Sequence, residues 1–332
     1  MPLDELLTEC YNCQPGTQPS FLPGGFASLN SASMRPNGST KSGPTVTPEQ
    51  KQGRLVFARM SRYIGRVARG AKSDDVHRFR TNSRRIEALV AELVPENGNK
   101  KKLLKLLSKL RKRAGRVRDL DVQLIFLKNL RVPDRQNHRA QLLELLAEEH
   151  GRRSKKLAKS FDSETVKELR RRLRRAKSEI KLTGVDPLKL ALTRLPKPSP
   201  APMTEKMLHA CRIAAKHARY LAELATGSTK AKAFVEELKR AQDEVGEWHD
   251  VLKLQQRAAG LFGTVHDSAL VAALQNISRA RFRHAVNAMT AAIKSLSAPQ
   301  SVASSSSALS AASSLASRPK AAPSQPDPTI AA

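Results

Sequence analysis

One pattern, used twice, limits what this chain can fold into. At Asp75–Leu93 the chain reads DVHRFRTNSRRIEALVAEL. Taken at 100° per residue, Val76, Phe79, Ile86, Val90 and Leu93 fall on one side of a helix, and His77, Arg80 and Arg84 fall on roughly the opposite side. At Leu208–Leu224 the chain reads LHACRIAAKHARYLAEL, where His209, Arg212 and Lys216 repeat that spacing 132 residues later. A second pair follows in the same order: Gly115-Arg-Val-Arg-Asp119 is echoed by Gly246-Glu-Trp-His-Asp250, offset by 131. Two motifs recurring in order at nearly one offset predict an internal duplication. A helix with a rail of one charge is unusual, because opposite charges at i, i+4 are the ordinary way to solubilise a helix. The missing anions are therefore expected from a partner.

The net charge of +29 points the same way. Residues 1–50 carry two basic and four acidic side chains, and residues 298–332 carry two and one, so the whole excess lies between them. Such a field repels itself and implies a polyanionic ligand or surface. Aromatic residues make up only 4% of the chain. Proteins that hold single strands without sequence preference stack bases on aromatic side chains, and this chain has few to offer.

Apolar periodicity of about 3.6 recurs along the chain, with no convincing period-2 run, so the expected class is all-α. Residues 1–47 and 298–332 are rich in Pro, Gly, Ser and Ala and read as disordered tails. Thr47-Pro48 looks like a helix start, and Ser73 is the expected cap of the first rail helix. Helices are expected at about 48–70, 75–93, 99–130 and 134–160, giving a first four-helix unit over about 48–160. A second unit, 162–297, opens with the basic helix 163–181 and continues through a short piece near Leu188, then 203–225, 230–259 and 267–296. Cys10 and Cys13 read as tail sequence and Cys211 as core. No signal peptide or membrane-length apolar run is visible, so a cytoplasmic protein is expected.

Histidine suits a site that needs a donor at neutral pH and more charge beside an anion. Arginine suits it because its fork grips two phosphate oxygens. No phosphate-binding glycine loop or Mg²⁺-holding carboxylate cluster accompanies them, so binding without catalysis, cofactor or metal is expected. Asp119 and Asp250 sit inside basic runs. They read either as carboxylates that orient rail side chains or as ordinary local ion pairs. Gly115 and Gly246 cost about 1 kcal/mol each relative to Ala in mid-helix, which implies close approach of a helix or a ligand.

Together, the HxxRxxxRR stretch at His77–Arg85, GRVRDLDV at Gly115–Val122, LHACRIAAKHARYLAEL and GEWHD at Gly246–Asp250 resemble the CHAD domain, the conserved-histidine α-helical domain. The resemblance covers about residues 48–297. It implies two four-helix bundles related by a pseudo-twofold axis around a basic channel or groove. It also implies binding of inorganic polyphosphate, often with recruitment to polyphosphate granules. Carried over by position, the contact candidates are His77, Arg80, Arg84, Arg85, His209, Arg212, Lys216 and Arg219. Arg118 and His249 join them, with Asp119 and Asp250 as orienting residues. Glu87 stands where members often have arginine. Two other classes fit the charge: a DNA- or RNA-binding protein, and an assembly scaffold acting through its tails.

Overall fold

The computed structural model describes residues 46–297 apart from positions 71 and 134. Both tails, with Cys10 and Cys13, lie outside the described residues. All regular structure within them is helical: α1 (Pro48–Arg69), α2 (Ser73–Leu93), α3 (Gly98–Asn129), α4 (His138–Ala158), a 3-10 turn (Lys159–Phe161), α5 (Ser163–Glu179), the short α6 (Pro187–Leu192), α7 (Glu205–Ala222), α8 (Thr229–Phe262) and α9 (Ala269–Ser297). None of these helices is long and apolar enough to cross a membrane.

The chain starts its helices with local chemistry. Thr47 and Gln50 form a reciprocal capping box ahead of Pro48. That satisfies donors which the first turn leaves without partners. Asn97, Asp162, Thr204 and Ser228 cap α3, α5, α7 and α8 in the simpler way. Ser73 does not cap α2 as expected: Lys72 holds the N-cap position without a side-chain bond, and the Ser73 hydroxyl donates to Asp121 Oδ2 at 2.7 Å. Lys100 is buried. Its ammonium donates to the carbonyls of Ala91 and Val94 at 2.8 and 2.9 Å. A cation at a helix C-terminus meets the negative end of the helix dipole.

Three buried clusters hold the helices together. The first joins α1, α2, the N-terminal half of α3 and α5, with Leu157, Phe161 and Leu224. The second joins α6, α7, the N-terminal half of α8 and the C-terminal half of α9. The third joins the far halves of α3 and α8 to the starts of α4 and α9. The 32-residue α3 and 34-residue α8 therefore run through two clusters each.

The placement of α5 differs from expectation. Residues 163–179 pack on the first cluster through Val166, Leu169, Leu173 and Ala176 and do not open the second. The physical reason lies just before the helix. Phe161 stands edge-on to Phe79, with ring centroids 5.1 Å apart, which pins the chain to the first core. Asp162 then caps α5 at once, accepting from Thr165 N at 2.7 Å, so the helix has no length in which to leave.

We expect Phe161→Ala to cost about 3–5 kcal/mol, the usual range for deleting a buried phenyl ring. Urea unfolding measures it. A loss below about 1 kcal/mol would mean that α5 docks independently of this ring.

Candidate polyanion site

The rail helices α2 and α7 pack against each other. Val76, Phe79 and Ile86 anchor α2 in the first core, and Leu208, Cys211 and Ala215 anchor α7 in the second. With the apolar faces turned away to separate cores, the basic faces are left to meet.

Where they meet, two open cavities flank the contact and share Arg212 and Lys216. The first, about 480 Å³, is also lined by His77, Arg80, Arg118, Asp119, Gly246 and Asp250. The second, about 590 Å³, is also lined by Arg84, Glu87, Arg111, His209, His217 and Tyr220. Arg212 and Lys216 thus stand as a partition between them, and the two expected rails face two separate spaces.

Asp119 and Asp250 are carboxylates that stand among these cations. Arg80 Nη2 lies 3.5 Å from Asp119 Oδ1, and Lys253 Nζ donates to Asp119 Oδ2 at 3.1 Å. Burial opposes ionisation of Asp250, but His249, Arg212 and Arg80 outweigh it and hold its carboxyl below the usual range. Burial likewise works against the charge of Arg80, with Asp119 offsetting it, and of Arg212, with Arg84 adding to the cost and Asp250 offsetting it.

The two rail histidines line different cavities, His77 the first and His209 the second. His209 stacks on His249 with ring centroids 5.9 Å apart. His77 lies near Arg118, the residue that corresponds to His249 under the repeat spacing. Burial, then Arg118 and Arg80, lower the His77 pKa. Burial, then Arg212 and Lys253, lower that of His249 against the Asp250 contact. Both rings therefore favour the neutral form until an anion arrives.

The mid-helix glycines have different reasons. A Cβ on Gly115 would stand 3.3 Å from Arg80 Nε, so this glycine makes room for a rail guanidinium. A Cβ on Gly246 would meet nothing within 4 Å; its position opens onto the first cavity.

Lys216 is the most perturbed cation. Burial, then Arg212, Arg84, Arg80 and Arg219, push it down to about 6. At neutral pH it is mostly an amine, kept uncharged by cations on both helices.

Arg85 and Arg219 line neither cavity. Both turn to Glu223, at 2.6 and 3.8 Å, and both lie over the Tyr220 ring, at 5.5 and 5.1 Å. Arg85 thereby ties α2 to α7, whereas Arg219 pairs one turn on within its own helix; neither lines the cavities. Glu87, at the first rail's edge, is taken up by Arg111 at 2.7 Å.

Sequence spacing did not single out Gln242, Gln123 or Arg111. Gln242 and Gln123 line the first cavity. The Gln242 amide and Arg212 Nε are buried without a hydrogen-bond partner, and buried polar groups ordinarily have one. Asp243 and Glu247 also line this cavity, so that side is not of one sign. Arg281 holds Glu247 at 2.7 Å. Gln242 lies one helical turn before Gly246, which is the only local signal that could have found it.

The model of the CHAD domain family matches residues 52–259. The fold is similar to the solved CHAD domain from the plant Ricinus communis, with a TM-score of 0.55 and 20% identity, covering 76% of this chain and 92% of that one. It is also similar to PptA from Streptomyces chartreusis, with a TM-score of 0.51 and 18% identity, covering 76% and 99%. None of the curated proteins compared matches the chain.

Two outcomes follow from the geometry. Gly246→Ala is expected to raise stability by about 0.5–1 kcal/mol, since Ala is the better helix former and the site is open. Gly115→Ala is expected to gain less or to lose, because it crowds Arg80; thermal unfolding compares them, and equal gains would remove the packing role of Gly115. A bound anion raises the pKa of Lys216, so binding takes up protons above about pH 6, and affinity falls as pH rises through that window. His77 and His249, also lowered, contribute in the same direction. Calorimetry with tripolyphosphate at pH 7.5, in buffers of different ionisation enthalpy, should show Lys216→Met taking up fewer protons, by up to about one. Equal uptake would assign the protons elsewhere.

Proposed function

The chain belongs to the CHAD domain family, and from that premise we propose that it binds inorganic polyphosphate and does not turn it over. Some members of the family are known to bind polyphosphate. The observation that carries the reading is the confrontation of α2 and α7, which crowds Arg80, Arg84, Arg212 and Lys216 around two cavities.

The mechanism is electrostatic capture. The cations are already largely desolvated, and Asp119 holds Arg80, so less ordering remains when a ligand enters. Polyphosphate is a line of phosphoryl groups. Its oxygens suit the guanidinium forks of Arg80, Arg84 and Arg212, and its charge favours protonation of Lys216, His77 and His249. Binding releases counterions, so affinity falls steeply with salt, as for nucleic acids. Polyphosphate granules are the location this reading implies.

Nucleic acid is the second reading, and one observation weighs against it. Among the lining residues Phe126 at the first cavity and Tyr220 at the second are the Phe, Tyr or Trp rings, and Arg85 and Arg219 already lie over Tyr220. Stacking of bases needs a free face.

The test is binding of the full chain to labelled long-chain polyphosphate at near-physiological salt. Duplex DNA and RNA compete at matched phosphate concentration. Arg80→Ala with Arg212→Ala is expected to weaken binding tenfold or more, about 1.4 kcal/mol. Because Arg212 is buried, urea midpoints are measured alongside, and the double lysine variant supplies a milder change that keeps the charge. Folded variants that bind as wild type would overturn the rail assignment. Equal competition by nucleic acid would make the chain a general polyanion binder.

A further inference from the structure

A third cavity, lined by cations alone, lies away from the rails. Arg113 and Arg116 of α3, Arg153 and Lys156 of α4, and Lys159 of the following turn line a space of about 330 Å³. The lining residues repeat at i, i+3 on each strand of helix, so each set forms one face. No carboxylate is among them.

Two of the guanidiniums are held in place. Arg113 donates to the buried Ser160 hydroxyl, which itself donates to Lys156 O at 2.6 Å. Arg153 donates to Glu149 Oε1 at 3.1 Å, and Glu149 also accepts from Arg257 of α8. Burial would push the Glu149 carboxyl up, but these two arginines hold it below its ordinary range. Arg116, Lys156 and Lys159 make no ion pair among the described residues. On the same helix Glu148 serves Arg152 on another face.

Five cations around one hollow repel one another, and a surface built only for solubility would intersperse acids. A single carboxylate would neutralise one of the five. A run of two or three linked phosphoryl groups would neutralise most of them and use the three guanidinium forks. The hollow has no aromatic lining on which a base could stack.

We propose that this pocket is a second site for condensed phosphate, independent of the rail cavities. The phosphoryl chemistry follows from the pocket; that its ligand is part of a longer polyphosphate chain rests on the reading above. Arg116 and Arg118 are only about 3 Å apart along the α3 axis but about 160° apart around it. A long chain wraps α3 to reach both sites, whereas tripolyphosphate occupies each separately.

The experiment titrates the full chain with tripolyphosphate and, separately, with long-chain polyphosphate. Wild type is expected to take up tripolyphosphate at more than one site. Arg116→Ala, Lys156→Ala and Lys159→Ala together remove one of them and weaken long-chain binding at least tenfold. All three residues are exposed, so folding is not at stake. Lys101→Ala, Lys105→Ala and Lys109→Ala, exposed on α3, form the control for lost net charge. Unchanged tripolyphosphate stoichiometry in the pocket variant, or an equal effect of the control, overturns the proposal. If instead the Arg80/Arg212 variant keeps full stoichiometry while the pocket variant loses a site, the pocket stands and the rail assignment falls.

Discussion

Two cationic helices pressed side by side are the constraint on which the rest of this molecule depends. Left alone, α2 and α7 would repel. They are held because each buries its opposite face in a different apolar core, and because a few carboxylates stand at the seam. Glu223 binds Arg85 and Arg219 at one end. Asp119 and Asp250 stand among Arg80, Arg212 and Lys253 at the other. The acids are too few to neutralise the seam, and the proposed polyanion site rests on that shortfall.

Desolvation turns the shortfall into chemistry. Charges in a partly buried cleft interact more strongly than charges on an open surface. The molecule answers by leaving Lys216 mostly neutral and by lowering the pKa of His77 and His249. On the proposed reading an anion would reverse each of these, so that the full charge would exist only with ligand bound. The arginines differ because guanidinium does not give up its proton under these conditions. They carry the standing charge, while Lys216 and the histidines supply the part that responds.

The basic residues of this chain therefore do at least four different jobs. Lys100 closes the end of α2, Arg85 ties α2 to α7, Arg80 and Arg212 line cavities, and Arg113 and Arg153 frame a separate pocket. Net charge alone does not distinguish them. What distinguishes them is whether a carboxylate or carbonyl stands within reach, and that depends on which helices meet.

The sequence alone determined the helices, their caps at Thr47 and their apolar faces, because helix periodicity and capping act within a few residues. It also marked His77, Arg80, Arg84, His209, Arg212 and Lys216 as one set, since spacing shows which side chains share a face, and the residues at Gly115–Val122 and Gly246–Asp250 as a matching pair. What lies opposite a face is set only by tertiary packing. That is why the placement of α5 on the first core, the turn of Arg85 and Arg219 toward Glu223, and the division of the rails into two cavities could not be read from spacing. The reason for Gly115 was half legible: its cost in mid-helix announced a close approach, but only the packing of α2 on α3 showed that Arg80 makes it. The state of Lys216 was hidden for the same reason, because four arginines drawn from both rail helices and the burial between them suppress its charge.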